Sequence, residues 1–323
     1  MKIFVTGSAG FIGFHLCQQL LLQGYSVIGI DNLNDYYDPV LKQIRNDILL
    51  RSERYSFREI DITNFDILST VIGEESPDMI VHLAAQAGVR YSLVNPAAYE
   101  HTNVLGTLNI FEAAKVHAVK KVVFASSSSV YGSNVKVPFS ENDMTDSPIS
   151  IYAATKKSSE LIAHTYSHLY GIEAVGLRFF TVYGEWYRPD MALFSFSKNI
   201  LEDRPICLFN SGEMQRDFTH VTDIVDGIIA AMKKEGLGFE IFNLGCDNPV
   251  SLGVVVAALE KGLNKKAKIE YLPMQAGDVI RTYADITKAR TILGFNPKIS
   301  IEEGIADFTK WFLEHQSVLL RLK

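Results

Sequence analysis

The chain has 323 residues, 47% of them hydrophobic and 21% charged, with 22 Gly and 10 Pro. That is the composition of a globular protein with a sizeable core, and it excludes a disordered, collagenous or disulfide-scaffold chain. With 31 Lys and Arg against 37 Asp and Glu the formal net charge is −6, so no basic footprint for nucleic acid exists.

Lys2–Thr6 is a β-rich run closed by glycines, and from Phe11 to Gln23 the apolar Ile12, Leu16 and Leu20 recur at helical spacing before Gly24. Further strands are expected at Ser26–Ile30, Arg54–Ile60, Met79–Leu83, Lys121–Ala125 and Val175–Arg178, with helices near Asp66–Gly73, Ala97–Val116 and Tyr152–Tyr170. Several of these strands are continuously apolar. Strands buried on both faces and alternating with helices predict an α/β fold with a Rossmann-type doubly wound parallel sheet. After Thr181 the pattern becomes irregular, with helical segments at Leu193–Glu202, Val221–Lys234 and Ile301–His315. We therefore expect a cofactor-binding domain over residues 1–180 and a smaller α/β substrate-binding lobe over 181–323. A strand near 239–245 is expected to return to the main sheet.

The lysines between Lys261 and Lys268 read as a solvated helix end. Cys17, Cys207 and Cys246 are far apart with no C-x-x-C pair, and read as buried thiols of a reducing compartment, without disulfides or a metal site. No apolar run approaches the ~18 residues of a membrane span, and MKIFVTG runs straight into a strand, so a soluble cytoplasmic protein without a signal peptide is expected.

Thr6-Gly7-Ser8-Ala9-Gly10-Phe11-Ile12-Gly13 lies between the first strand and the first helix, the context of a dinucleotide-binding turn. Gly7 permits the tight turn, Gly10 lets backbone approach a pyrophosphate, and Gly13 allows close helix–strand packing. The helix N-terminus offers unpaired N–H groups to phosphate. The spacing is G-x-x-G-x-x-G, a departure from G-x-G-x-x-G. Asp31 closes the second strand about 20 residues on, where an acid binds the adenosine ribose and repels a 2′-phosphate. The expected cofactor is NAD. Asp61 and Ile62, after the third strand, are candidates for the adenine edge.

Tyr152 and Lys156 are four residues apart on one helix face. A free phenol has a pKa of about 10, and a cation nearby favours its phenolate. Phe124-Ala125-Ser126-Ser127-Ser128-Ser129 ends a strand at the carboxyl edge of the sheet, where ligands bind in open α/β folds. A hydroxyl there can bridge a substrate oxygen and the phenol.

Together these residues resemble the extended short-chain dehydrogenase/reductase family over essentially the whole chain, and within it the nucleotide-sugar epimerases, most closely those acting on UDP-glucuronate. The closer likeness is carried by DNLNDYYD from Asp31 to Asp38, HLAAQAGVRYS from His82 to Ser92, RFFTVYG from Arg178 to Gly184, and RPDMA from Arg188 to Ala192. The resemblance implies Ser127, Tyr152 and Lys156 as the catalytic set. It also implies cofactor contacts from Gly7, Gly10, Phe11, Ile12, Asp31, Asn32, Asp61, Ile62, Leu83, Ala84, Ala85 and Asn103.

The segment from Gly212 to Ile224 is similar to one whose Arg meets the sugar-nucleotide diphosphate, which maps to Arg216, with a surface Arg as the plain alternative. Asp278 matches a ribose contact, whereas Gln275 stands where some members carry a second Arg, leaving Arg281 to replace it or not. Phe209 reads equally as a uracil platform or a core residue. Arg188 and Thr181 are candidates for a sugar carboxylate, and Arg90 and Ser128 are further substrate-side candidates. In related dehydratases and decarboxylases an acid follows the active-site Ser/Thr; here Ser128 and Ser129 follow. The expectation is a UDP-sugar 4-epimerase taking UDP-glucuronate to UDP-galacturonate. The alternatives are another UDP-hexose, a decarboxylase, or a non-catalytic NAD-binding protein. His82 reads as a satisfied core histidine, and Trp186 and Trp311 as packing residues. The resemblance further implies a homodimer built on the helices near Ala97–Val116 and Tyr152–Tyr170.

Overall fold

The computed structural model describes residues 1–273 and 281–322. Its strands begin with β1 (Lys2–Thr6), β2 (Ser26–Asp31), β3 (Tyr55–Glu59), β4 (Met79–His82), β5 (Lys121–Ser127) and β6 (Glu173–Phe179). Later strands are β7 (Thr181–Tyr183), β8 (Pro205–Phe209), β9 (Gln215–His220), β10 (Phe239–Leu244), β11 (Pro249–Ser251), β12 (Lys268–Leu272) and β13 (Arg281–Thr282). The main sheet runs β10-β6-β5-β4-β1-β2-β3 and is parallel throughout. Both faces are covered: Ile3 and Val5 of β1 enter one core and Phe4 the other. Because β1 pairs with both β2 and β4, the crossovers that follow it depart in opposite directions. A crevice therefore opens at the carboxyl ends of β1 and β4, the place where such sheets bind ligands.

Two helices point their first turns at this edge. Helix Phe11–Leu22 starts at Gly10 without a side-chain cap, leaving its N–H groups available. Helix Ile151–Tyr170 is capped by Ser150, whose hydroxyl accepts from Ala153 N at 3.1 Å, and stops at Gly171 with φ +67°. The stretch read as one helix over 97–116 is instead a turn at Pro96–Tyr99, a π-helical segment at Glu100–Leu105 and an α-helix at Gly106–Val116. Within the π-helical segment the Asn103 carbonyl accepts from Thr107 Oγ1 at 2.6 Å. Sequence periodicity also missed helix Pro39–Leu49, which starts with Asp38 accepting from Val40 N and Pro39 in the first turn.

In the smaller lobe β9 pairs with β7, β11 and β13, while β12 pairs with β8. The carboxylate of fully buried Asp217 on β9 accepts from Cys246 N, Asp247 N and Ala284 N at 2.6, 3.1 and 3.0 Å. Three chain segments are thereby tied beside Arg216. Cys17 is buried and Cys246 half-buried, but Cys207 is exposed, because the alternation along β8 turns it outward; the expectation of three buried thiols fails there. Among the described residues no helix is long and apolar enough to cross a membrane.

A buried polar network holds the sheet edge. Arg178 on β6 donates Nε and Nη2 to Glu160 Oε1 and Oε2 at 2.8 and 2.9 Å, and Nη1 to the Tyr131 hydroxyl at 3.0 Å. Ser126, one residue before the strand end, donates to Glu160 at 2.6 Å. The ion pair holds the Glu160 carboxyl below the usual carboxylate range, against the opposing effect of burial. Removing one partner leaves an uncompensated buried charge. Arg178→Ala should lower unfolding stability by about 3–5 kcal/mol in urea denaturation, whereas replacing the exposed Arg51 should change it by less than about 0.5 kcal/mol.

Candidate active site

A cavity of about 900 Å³ runs along the carboxyl edge of the main sheet from the glycine turn to the smaller lobe. At one end Gly7 adopts φ +73°, and a Cβ there would lie 2.8 Å from Ala84 N. A Cβ on Gly10 or Gly13 would meet Gly7 O at 2.9 or 2.0 Å. The turn is thus compact enough only for glycine, and it presents backbone N–H groups to the cavity. It is fastened to β2 through Gly7 N and Ser8 N, which donate to Ile30 O at 2.7 and 3.1 Å.

Asp31 follows directly. Its Oδ2 accepts from Ala9 N at 3.2 Å and its Oδ1 from Leu33 N at 2.9 Å, so the carboxylate is aimed by the turn it serves. Burial raises its pKa, and the Lys42 ammonium opposes the shift. Phe11, Ile12, Asn32, Ile62, Leu83, Ala84 and Ala85 also line this end. These residues fit a dinucleotide carrying a free ribose diol.

Two candidates for the same cofactor already have hydrogen-bond partners within the protein. The Asp61 carboxylate accepts from Thr63 and from Asn32 Nδ2. Asn103 is buried with its amide spent on Gln86 and Thr155: it accepts from Gln86 N at 2.8 Å and donates to Gln86 O and Thr155 Oγ1 at 3.0 Å. Asn103 therefore fixes the backbone of Gln86, which lines the cavity.

Ser127, Tyr152 and Lys156 meet at the middle of the cavity. The Ser127 hydroxyl accepts from Ser129 N at 3.1 Å and sits where it eases ionisation of the Tyr152 phenol. Burial raises the phenol's pKa, while Ser127 and the Arg188 charge lower it. Lys156 donates to Ala125 O at 2.9 Å, and burial brings its ammonium down to about 8. Tyr99 packs edge-on against Tyr152 with ring centroids 6.0 Å apart.

His82 lies beneath, with Nδ1 2.8 Å from Thr6 Oγ1 and Nε2 3.2 Å from Thr107 Oγ1. Thr6 Oγ1 already accepts from Ala84 N, and Thr107 donates to Asn103 O. The Thr6 proton is thus free for Nδ1, and the imidazole carries its own proton on Nε2. Burial lowers its pKa to about 3, so it is a neutral structural link between β1, β4 and the π-helical segment.

Toward the smaller lobe the cavity is lined by Ser128, Thr181, Arg188, Arg216, Phe209 and Arg90. The Arg90 guanidinium lies 5.3 Å from the Phe209 ring centroid, so Phe209 presents a face rather than joining the core. Arg216 donates Nη1 to Gln215 O at 2.9 Å. Arg281 stacks over Tyr283 at 4.7 Å, while Gln275 and Asp278 fall outside the described residues. Trp186 and Trp311 pack on each other, away from the cavity's chemistry.

Sequence reasoning assigned no role to Tyr36, Lys42, Arg45 or Asp190. Asp190 accepts from Arg188 Nε and Nη2 at 3.0 and 2.6 Å and from the Tyr36 hydroxyl at 3.2 Å. Lys42 donates to Asn34 O and Oδ1 at 2.8 and 2.7 Å. Fully buried Arg45 donates to Ala9 O and the Tyr37 hydroxyl at 3.0 and 2.8 Å, and to Trp186 O. It thereby joins the glycine turn to the segment carrying Arg188. Tyr36 and Asp190 lie within the runs DNLNDYYD and RPDMA, and those runs were the only available signal.

Comparison with known proteins agrees with this geometry. An uncharacterized protein of Methanocaldococcus jannaschii is 58% identical over 323 residues, covering 99% of each chain. The UDP-glucuronate 4-epimerase of Thermodesulfobacterium geofontis is 48% identical, covering 99% of this chain and 98% of its own. A solved UDP-glucuronic acid 4-epimerase from Bacillus cereus, in complex with UDP-glucuronic acid and NAD, superposes with a TM-score of 0.91. Its sequence identity is 37%, with 97% of this chain and 99% of that one covered. The model of the NAD dependent epimerase/dehydratase family matches residues 3–245, which span the glycine turn, Asp31 and the Ser127, Tyr152 and Lys156 cluster. With turn, acid and cluster all inside that match, the chain belongs to the NAD dependent epimerase/dehydratase family.

Proposed function

We propose that the chain is an NAD-dependent UDP-sugar 4-epimerase that interconverts UDP-glucuronate and UDP-galacturonate. One observation carries the choice of sugar: Arg188 and Thr181 line the same cavity as Ser127 and Tyr152, so a cation shares the cavity with the group that meets the C4 hydroxyl. In a hexose C6 is two bonds from C4, and a C6 carboxylate then falls within reach of Arg188 and Thr181. A guanidinium fork suits a carboxylate. Two of the relatives named above, UDP-glucuronate 4-epimerases by name, support the same reading.

NAD, when bound, accepts a hydride from C4 and gives it back, so the net reaction is redox-neutral. Tyr152 takes the C4 hydroxyl proton and later returns it, with Ser127 bridging the two oxygens. Lys156 stabilises the phenolate by its charge. Arg216 meets the diphosphate, Phe209 faces the uracil, and Arg90 and Ser128 complete the substrate side. The cavity's described lining carries two carboxylates, Asp31 and Asp190, and neither stands beside Ser127. Ser128 and Ser129 occupy the positions after it, so the described lining places no carboxylate there to remove the C5 proton of a 4-keto uronate.

Residues 1–180 together with β10 form the cofactor-binding unit in this proposal, and 181–323 supply most of the substrate lobe. The compartment is the cytoplasm, in keeping with the three free thiols. The partner is a second copy of the chain. Leu93, Val94, Leu108, Val116, Leu161 and Leu169 are exposed along the helices of 91–116 and 151–170, an apolar face that a homodimer would cover.

Tyr152→Phe should reduce turnover of UDP-glucuronate by about 10²–10⁴-fold while NAD still co-purifies, read by product chromatography and by cofactor release on denaturation. Arg188→Ala should raise KM for UDP-glucuronate at least about tenfold, the loss of a charge-assisted contact. UDP-glucose affinity should stay level, and some UDP-pentose should appear, because the freed 4-keto acid loses CO2. Leu161→Glu should convert the dimer to a monomer in size-exclusion chromatography with light scattering.

A further inference from the structure

The Arg188–Asp190 pair poses a problem for a site that grips a carboxylate. The guanidinium is already engaged in a two-pronged contact, at 3.0 and 2.6 Å, with a carboxylate two residues away. Pro189 lies between them and fixes the local backbone. Tyr36 adds a hydrogen bond to Asp190 at 3.2 Å, and its ring lies 5.9 Å from the guanidinium carbon. Both side chains are largely shielded, at 18% and 26% exposure. Two of the five guanidinium N–H donors are thus used, and most of the positive charge is compensated inside the cavity.

The reaction explains why compensation would be wanted. Epimerisation requires the hexose to offer both faces of C4 to one fixed hydride partner, and the C6 carboxylate must travel with the ring. A full, uncompensated guanidinium would deepen one pose of that carboxylate. Binding that is stronger in the ground state than in the moving state lowers turnover.

We propose that Asp190, held by Tyr36, is a positioning residue that partly neutralises Arg188 and so sets a loose grip on the substrate carboxylate, strong enough to select a uronic acid and weak enough to let the oxidised sugar turn. The inference rests on the reading of the site as a UDP-glucuronate 4-epimerase. It also assigns Tyr36, from the loop after the adenosine-binding Asp31, a part in substrate handling.

Asp190→Asn keeps the shape and removes the charge. In steady-state assays, KM and kcat for UDP-glucuronate should fall together, each by about tenfold, or ~1.4 kcal/mol, with kcat/KM nearly unchanged. The inhibition constant of UDP-glucose, which lacks the carboxylate, should stay within about twofold, whereas a mere packing role would move both ligands alike. An unchanged or raised KM for UDP-glucuronate overturns the proposal, as does a parallel loss of UDP-glucose affinity. Asp190→Ser provides a second neutral variant, with the same result expected. Failure of both variants to fold overturns the proposal by making the pair structural. A wild-type enzyme that leaves UDP-glucuronate unconverted overturns the reading of the site and this inference with it, whereas a working wild type beside a contrary Asp190→Asn overturns this inference alone.

Discussion

A phenol held in a protein cavity resists giving up its proton, and an ammonium buried at the same cavity resists keeping one. Both effects are visible here: burial raises the Tyr152 pKa and brings Lys156 down to about 8. The two penalties oppose each other only if the groups share one site, because the phenolate and the ammonium stabilise one another in a low dielectric. A rigid scaffold has to enforce that sharing. The four-residue spacing on a capped helix supplies half of it, and the Ala125 carbonyl, 2.9 Å from Lys156 Nζ, supplies the other half by anchoring the cation to β5. Ser127, two residues along the same strand, then reaches the phenol. In the proposed reaction the positive ring of oxidised nicotinamide adds to Lys156, so the base is strongest when the substrate is ready to be oxidised.

The scaffold converges on that point from several directions. β1 and β4 are locked at their carboxyl ends by Thr6, His82 and Ala84, and the same hydrogen-bond chain continues through Thr107 to Asn103 and the Gln86 backbone. β5 and β6 are locked by Glu160 and Arg178. Neutral His82 and ion-paired Glu160 thus do similar work with different chemistry: each satisfies buried polar groups that would otherwise be costly where strands end.

Much of this was legible from local pattern. The strand-turn-helix at Gly7–Gly13, the acid at Asp31, the Tyr152–Lys156 spacing and the serine run at a strand end are short-range signals. Their physics depends on residues within a few positions of one another. Two kinds of feature escaped. Contacts across the chain were one: Tyr36 meets Asp190 over 154 residues, and Arg45 meets the Trp186 carbonyl over 141. No periodicity encodes such a meeting. Local overrides were the other. The region of Asn103 was read as one helix, but the chain turns π-helical at Glu100–Leu105, where the Asn103 amide bonds to Gln86 and Thr155. The short strands of the smaller lobe, two to six residues each, carry too few alternations to be read, and their partners lie far away in the chain.

What the cavity withholds matters as much as what it supplies. A ketone formed at C4 acidifies C5 and weakens the bond to a C6 carboxylate, so both enolisation at C5 and decarboxylation become accessible. Enolisation needs a free base near C5. Of the two carboxylates in the described lining, Asp31 is held by the glycine turn and Asp190 by Arg188 and Tyr36, and the positions after Ser127 are hydroxyls. Decarboxylation needs the C5–C6 bond aligned with the ketone π system, an alignment that the proposed carboxylate contacts to Arg188 and Thr181 would oppose. With both diversions closed, the remaining exit from the ketone is return of the hydride. The configuration of the product then depends on which face of the sugar is presented when that happens, so stereochemistry here is governed by the freedom of the ring to turn rather than by any further catalytic group.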